Sequence, residues 1–283
     1  MKLVKFKEQF FKRLQSNFPQ NEISSFFKLL IDKYLGLNSV DLIVKPDLNL
    51  KINELELLLA ARERLFNNEP IQYILGETEF YGYKFTVTPD VLIPRPETEE
   101  LVEWILSDLK NAKNQRNTIL DIGTGSGCIA VSLAKNRPED SVSALDISNK
   151  ALQLAEHNAE MNTVKLHLLE NDILNLEQLP QNYSVIVSNP PYVRNLEKAE
   201  MHANVLRFEP DQALFVEDDN PLIFYKKISE LAYESLEEGG FLYFEINEYL
   251  SEETLSLVKF TGFSNVELRK DFADKPRMIK AQR

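Results

Sequence analysis

Asn189-Pro190-Pro191-Tyr192 follows the apolar-leaning run Val185-Ile186-Val187-Ser188. Neither proline has an amide hydrogen to give a sheet ladder, so a buried strand must stop there and present an asparagine and a tyrosine. Upstream, Asp121-Ile122-Gly123-Thr124-Gly125-Ser126-Gly127 joins a β-prone run to a helical one. Glycines let the backbone turn tightly and let a ligand approach with no Cβ in the way. The spacing is Gly-x-Gly-x-Gly, one residue shorter than the Gly-x-Gly-x-x-Gly of dinucleotide sites, and alone it fits a plain tight turn. Asp146 stands nineteen residues after Gly127, where an acid can accept both hydroxyl hydrogens of a ribose. It could instead cap the next helix, a task open also to Ser148 and Asn149. Glu170-Asn171-Asp172-Ile173 could place the Asp172 carboxylate near an adenine amino group and Ile173 on its face. Three such features at successive strand ends, in that order, favour a nucleoside-bearing cofactor over three unrelated turns.

The elements that must position these residues are legible from periodicity. From residue 117 strands and helices alternate: Thr118–Ile122, Cys128–Lys135, Ser141–Ile147, Lys150–Met161, Lys165–Glu170 and Tyr183–Ser188. A helix over Pro221–Leu236, a strand over Gly240–Ile246, a helix from Glu252 and closing strands near Ser264–Arg269 and Arg277–Gln282 follow. Such alternation predicts an α/β fold with a mainly parallel sheet, whose ligands bind outside the carboxyl ends of the strands. Before it, Phe6, Phe10, Phe11 and Leu14, then Ile23, Phe26, Phe27, Leu30, Ile31 and Tyr34, then Ile52–Arg62, keep helical spacing. Their aromatic stripes read as helix-to-helix packing in a small bundle. Thr78–Val87, two β-prone runs around Gly82, predicts a hairpin. The proline-rich Ile93–Thr98 leads into a new helix. The expected organisation is a helical docking domain over 1–75, a hairpin linker over 76–92 and a catalytic domain over 93–283.

Composition narrows the function classes. The chain has 283 residues, a net charge of −12 and one cysteine, Cys128. Residues 1–90 hold 12 basic and 12 acidic side chains, so the whole negative excess lies beyond them. An acidic catalytic half is a poor match to a phosphate backbone, so direct nucleic-acid binding is not expected. A lone cysteine excludes an intrachain disulfide, and with three scattered histidines no metal site is expected. No run approaches a membrane span or the apolar core of a signal peptide, so the expected place is the cytoplasm.

The glycine loop, Asp146 and the Asn-Pro-Pro-Tyr tetrad together resemble the class I S-adenosylmethionine-dependent methyltransferases that act on a planar nitrogen. The resemblance implies a Rossmann-like, seven-stranded, mostly parallel sheet. It also implies S-adenosyl-L-methionine as cofactor, with S-adenosyl-L-homocysteine as product. Cofactor contacts would come from Gly123, Thr124, Gly125, Ser126, Gly127, Asp146, Asp172, Ile173 and Asn189. A delocalised lone pair makes a planar nitrogen a weak nucleophile. If the Asn189 side-chain carbonyl and the Pro190 backbone carbonyl each accept one N–H, they hold that nitrogen facing the methyl group. Pro190 and Pro191 would keep the backbone rigid, and Tyr192 would form an apolar wall against the substrate.

Several methyltransferase groups share the tetrad, and the rest of the chain separates them. Gln72–Glu77, Phe80-Tyr81-Gly82 and Pro89–Glu99, with Ile93-Pro94-Arg95-Pro96-Glu97-Thr98 as the most discriminating part, resemble the HemK/PrmC family. So do Asp121–Ala130, Asp146–Ser148, Ser188–Val193, Glu209-Pro210 and Ala213-Leu214. That resemblance implies methylation of the side-chain amide of the glutamine in the Gly-Gly-Gln motif of bacterial class I peptide release factors. Asn189, Pro190, Pro191 and Tyr192 would then clamp the glutamine, and the connector Ile93–Glu97 would close over the site. The chain departs from the usual pattern at Phe208, at Glu217 and at Asn247, which replaces a glycine. Residues 193–222 carry seven acids against three bases, which suits a basic protein surface or a solvated loop. The alternatives are a nucleic-acid exocyclic-amine methyltransferase, which would call for a basic surface, and a non-catalytic S-adenosylmethionine-binding adaptor, which the intact motifs oppose.

Overall fold

The computed structural model describes residues 1–45, 47–111 and 116–283. It divides into two compact units, Met1–Gly76 with His202–Phe208, and Glu77–Met201 with Glu209–Arg283. In the first unit, Phe6, Phe10 and Leu14 recur every fourth residue along the helix Leu3–Leu14 and are buried. Ile23, Phe27 and Ile31 do the same along Gln20–Leu35, and Phe10 meets Phe27 edge-on at 5.5 Å. That stripe geometry puts one face of each helix into a shared core. The helix Ile52–Phe66 completes the expected set. Two further helices, Ser39–Val44 and Ile71–Leu75, are under two turns long and so leave no periodicity to read.

The second unit opens with the expected hairpin, β1 (Glu77–Phe80) against β2 (Tyr83–Thr86). Its turn residues Tyr81 and Gly82 both take positive φ, 51° and 75°, as a two-residue hairpin turn requires. Tyr81 tolerates this unusual conformation with its N–H donating to Glu99 and its hydroxyl to Glu103. Phe80 and Phe85 are buried in this unit's core. The helix Pro96–Asn111 follows.

Then come β3 (Thr118–Ile122), β4 (Ser141–Asp146), β5 (His167–Glu170), β6 (Tyr183–Ser188), the two-residue pair β7 (Val193–Arg194) and β8 (Phe215–Val216), β9 (Leu236–Glu245), β10 (Ser264–Lys270) and β11 (Pro276–Gln282). Among the described residues, seven of these form one sheet in the order β10-β11-β9-β6-β3-β4-β5. β3, β4, β5, β6 and β9 pair in parallel; β11 pairs antiparallel to β9 and β10. β9 starts four residues earlier than expected, with a register shift against β6 between Tyr183 and Val185. Gly239, at φ 79°, allows that irregularity.

Alternate residues of the parallel strands enter opposite cores. Ile119, Val185 and Val187 join the cluster with the helices Pro96–Asn111 and Cys128–Asn136, while Leu120, Ile122 and Ile186 join that with Ile223–Ser235. The period of two in a strand thus supplies both faces of a helix-covered sheet. The chain runs outward from β3 to β5 and then returns to the other side of β3 as β6. The crevice beyond the ends of β3 and β6 is therefore the topological switch point. No helix among the described residues is long and apolar enough to cross a membrane.

Candidate active site

At that switch point β3 runs into the glycine loop. Gly123, Gly125 and Gly127 take φ of 73°, 54° and 80°, a region that strains any residue with a Cβ. The three glycines differ in what surrounds them. A Cβ on Gly125 would meet nothing within 4 Å, and one on Gly123 only the Asn189 carbonyl oxygen at 3.9 Å. A Cβ on Gly127 would lie 2.9 Å from that of Ala155. Gly123–Ser126 line a cavity of about 430 Å³, but Gly127 does not. Gly127 itself lies close against the helix Asn149–Met161.

Side chains beneath the loop hold its shape. Asp121, fully buried, accepts the Thr124 hydroxyl at 2.6 Å. Burial pushes its carboxyl up from 3.8 to about 7, against the hydrogen bond from Thr124. Asn158, also buried, donates to the carbonyls of Ser126 and Thr86 and accepts from the Thr86 N–H. It ties the glycine loop to β2, a role with no signal in the sequence.

Asp146 faces the same cavity from the end of β4. Its two oxygens accept the N–H groups of Gly125 and Ser148, both at 2.9 Å. Burial raises its carboxyl above the ordinary range, opposed by those backbone donors. Ser148, not Asp146, caps the following helix through Ala151. A carboxylate accepts along several directions, so these bonds leave Asp146 able to accept from a ligand as well. After β5, Asp172 shapes a turn by accepting from the Leu174 N–H and the Asn175 amide. Ile173 beside it is buried, and both line the cavity. Carboxylate acceptors, a Cβ-free backbone cradle and an apolar surface together fit a nucleoside-bearing molecule, in a cavity of ligand size.

β6 delivers the tetrad to the opposite wall. Asn189, Pro190 and Pro191 line the cavity, whereas Tyr192 does not. The Tyr192 ring packs against the core cluster of the helix Ile223–Ser235, and its hydroxyl donates to Glu245 at 3.1 Å. Burial first, and then the Glu245 charge, raise this phenol well above its ordinary value. The other Glu245 oxygen accepts the Thr98 hydroxyl at 2.6 Å, and the Asn189 amide nitrogen donates to Thr98 at 3.4 Å. Glu245 is buried, which raises its carboxyl, opposed by Thr98, Arg277 and Tyr192.

The connector is pinned by Glu209. Arg95 pairs with the buried Glu209 at 2.6 Å, and Glu209 also accepts the Ile93 N–H at 3.2 Å. Among the departures, Asn247 is buried. It donates to the Tyr192 carbonyl and to Glu197, and accepts the Tyr249 N–H, all at 2.9 Å. Glu217 accepts from Asn195 on the surface, and Phe208 falls in the helical unit. Thr98, Glu245 and Asn247 are the polar residues around the tetrad to which sequence reasoning gave no role.

The fold and sequence have clear relatives. Residues 5–76 match the PrmC N-terminal domain and residues 100–214 the Methyltransferase small domain. A methyltransferase from Pyrococcus furiosus superposes with a TM-score of 0.51 at 18% identity, over 81% of this chain and 98% of that one. A 16S rRNA methyltransferase from T. thermophilus gives 0.53 at 19%, over 73% and 49%. At such identities these likenesses establish the fold. The release factor glutamine methyltransferase of Flavobacterium psychrophilum is 51% identical over 283 residues, spanning 99% of each chain. That of Bacteroides thetaiotaomicron is 43% identical over 274 residues, spanning 95% of this chain and 96% of its own. With both domain families in order and identity extending from end to end, the chain belongs to the HemK/PrmC family of release factor glutamine methyltransferases.

Proposed function

We propose that this protein methylates the side-chain amide of the glutamine in the Gly-Gly-Gln motif of bacterial class I release factors. S-adenosyl-L-methionine is the donor and S-adenosyl-L-homocysteine the product. The observation that carries this reading is the closeness of two strand ends. The Asn189 carbonyl lies beside Gly123, so the tetrad and the glycine loop face one cavity.

Gly123–Ser126 would hold the cofactor's amino-acid end, Asp146 its ribose hydroxyls, and Asp172 and Ile173 its adenine. When bound, the cofactor supplies a methyl group on a positively charged sulfur, ready for attack by a nucleophile. Asn189 Oδ1 and the Pro190 carbonyl accept the two N–H hydrogens of the glutamine amide and orient its nitrogen. As positive charge develops on that nitrogen, the same two oxygens stabilise it. Pro190 has its φ fixed, which keeps its carbonyl aimed. Tyr192 supports this clamp from behind through Glu245, and Asn247 fixes the Tyr192 carbonyl. The acidic segment 193–222 suits a basic protein surface better than a phosphate backbone.

The test is incubation with unmethylated release factor and isotopically labelled S-adenosylmethionine, followed by peptide mass mapping. The expected result is one methyl group on the Gly-Gly-Gln glutamine, lost by at least about 100-fold in Asn189→Ala. Label appearing on RNA or DNA and not on that glutamine would overturn the proposal.

A further inference from the structure

We propose that Thr98, held by Glu245, is the positioning residue that decides which end of the Asn189 carboxamide faces the cavity. The inference rests on the amide-methylation reading for its functional consequence, but its geometry stands by itself. Thr98 and Glu245 are each only 2% exposed, and their 2.6 Å hydrogen bond joins the start of the helix Pro96–Asn111 to the end of β9. Glu245 also accepts the Tyr192 hydroxyl, and the positive charge of Arg277 acts on it. Each Glu245 oxygen thus accepts one hydroxyl, Oε1 that of Tyr192 and Oε2 that of Thr98. The single Thr98 hydroxyl proton is therefore committed to Glu245. Toward Asn189 the Thr98 oxygen presents only lone pairs.

The consequence falls on Asn189. Its Nδ2 stands 3.4 Å from Thr98 Oγ1, a long hydrogen bond that still has a definite sign. Turning the amide over would set Oδ1 against the Thr98 oxygen, acceptor against acceptor. The arrangement observed leaves Oδ1 free to accept from a substrate N–H. The reversed one would aim an NH2 group at the substrate's own NH2, donor against donor. An asparagine's two ends are nearly equal in shape, so packing alone selects weakly between them. A hydroxyl with a committed proton supplies the selection, and Glu245 supplies the commitment.

Thr98→Val keeps the shape and removes the hydroxyl; Thr98→Ser keeps the hydroxyl. Glu245→Gln replaces the obligate acceptor by an amide that can donate to Thr98, releasing the Thr98 proton toward Asn189. The expected loss in kcat is roughly 10- to 100-fold for Thr98→Val and for Glu245→Gln. Thr98→Ser should stay within about threefold of the wild type, and the double variant Thr98→Val/Glu245→Gln should be little worse than either single one. S-adenosylmethionine affinity by calorimetry and the melting temperature of Thr98→Val should stay near wild type. A readout without cofactor or turnover accompanies these: the Asn189 side-chain NH2 resonance in a 15N-asparagine-labelled sample, assigned by its absence in Asn189→Asp. It should move in Thr98→Val and return in Thr98→Ser.

Full kcat in Thr98→Val, or an unmoved Asn189 resonance, would overturn the inference. So would a parallel fall in cofactor affinity and melting temperature that Thr98→Ser does not restore, since that marks a merely structural threonine. Absence of glutamine methylation by the wild-type protein would defeat the functional reading alone; the resonance would still decide the orientation.

Discussion

Gly125 and Gly127 are two residues apart in the same loop, both with positive φ, yet replacing each by alanine should produce opposite phenotypes. In Gly127→Ala the new Cβ falls 2.9 Å from Ala155 Cβ and 3.1 Å from its Cα. Neither atom sits at the end of a flexible side chain, so the helix Asn149–Met161 or the loop must move. Left-handed strain costs about 1–2 kcal/mol for a residue with a Cβ, and overpacking a close contact adds about 1–3 kcal/mol. The sum, about 2–5 kcal/mol, corresponds to a fall in melting temperature of roughly 4–20 °C for a unit of this size. In Gly125→Ala the new methyl meets nothing within 4 Å, so the fold bears only the strain of about 1–2 kcal/mol. That methyl stands in the cavity wall, however, and should weaken S-adenosylmethionine binding tenfold or more, a change of about 1.4 kcal/mol. Thermal melts without cofactor and titration calorimetry with it separate the two effects. A Gly127→Ala protein that melts with the wild type would refute the packing argument. A Gly125→Ala protein with wild-type affinity would refute the placement of the cofactor against the loop.

Two further outcomes follow from buried polar groups. Asp121, with a carboxyl raised from 3.8 to about 7 by burial, binds its proton more tightly folded than unfolded. Its contribution is therefore fully present below pH 4 and lost as pH rises toward 7. Asp121→Asn should remove that slope, by an order of a few kcal/mol; urea denaturation of both proteins between pH 4 and 8 checks it, and identical profiles would contradict it. Asn247→Gly removes hydrogen bonds to the Tyr192 carbonyl and to buried Glu197. It should cost about 2–4 kcal/mol in chemical denaturation, and a neutral result would mean that water replaces the amide.

Much of this organisation was legible in the chain because local patterns encode it. Thr118–Ile122 and Tyr183–Ser188 are short apolar runs ended by glycine and proline, and both strands have the expected bounds. The helical stripes of Phe6, Phe10 and Leu14 likewise need only their own spacing. What escaped was non-local. Thr98 and Glu245 meet across 147 residues of sequence, and no neighbouring pattern marks either as the other's partner. The acceptor that the end of β9 gives the Tyr192 hydroxyl is equally non-local. So is the close approach of Gly127 to Ala155. The departure at Asn247 carries its meaning only when Tyr192, Glu197 and Tyr249 are seen around it.

β6 occupies the middle of the seven-stranded sheet, with three strands on either side, and Tyr183–Ser188 is buried almost throughout. Amide hydrogens of such a strand exchange with solvent only through opening of the whole sheet. The backbone that carries Asn189 therefore has no inexpensive local excursion. Its breathing is tied to global unfolding, and the site should keep its shape up to the temperature at which the sheet itself melts. Adjustment to a bulky protein substrate then falls to surface segments outside the sheet. Hydrogen exchange should record slow amides in β6 beside fast ones in the exposed turn 217–220.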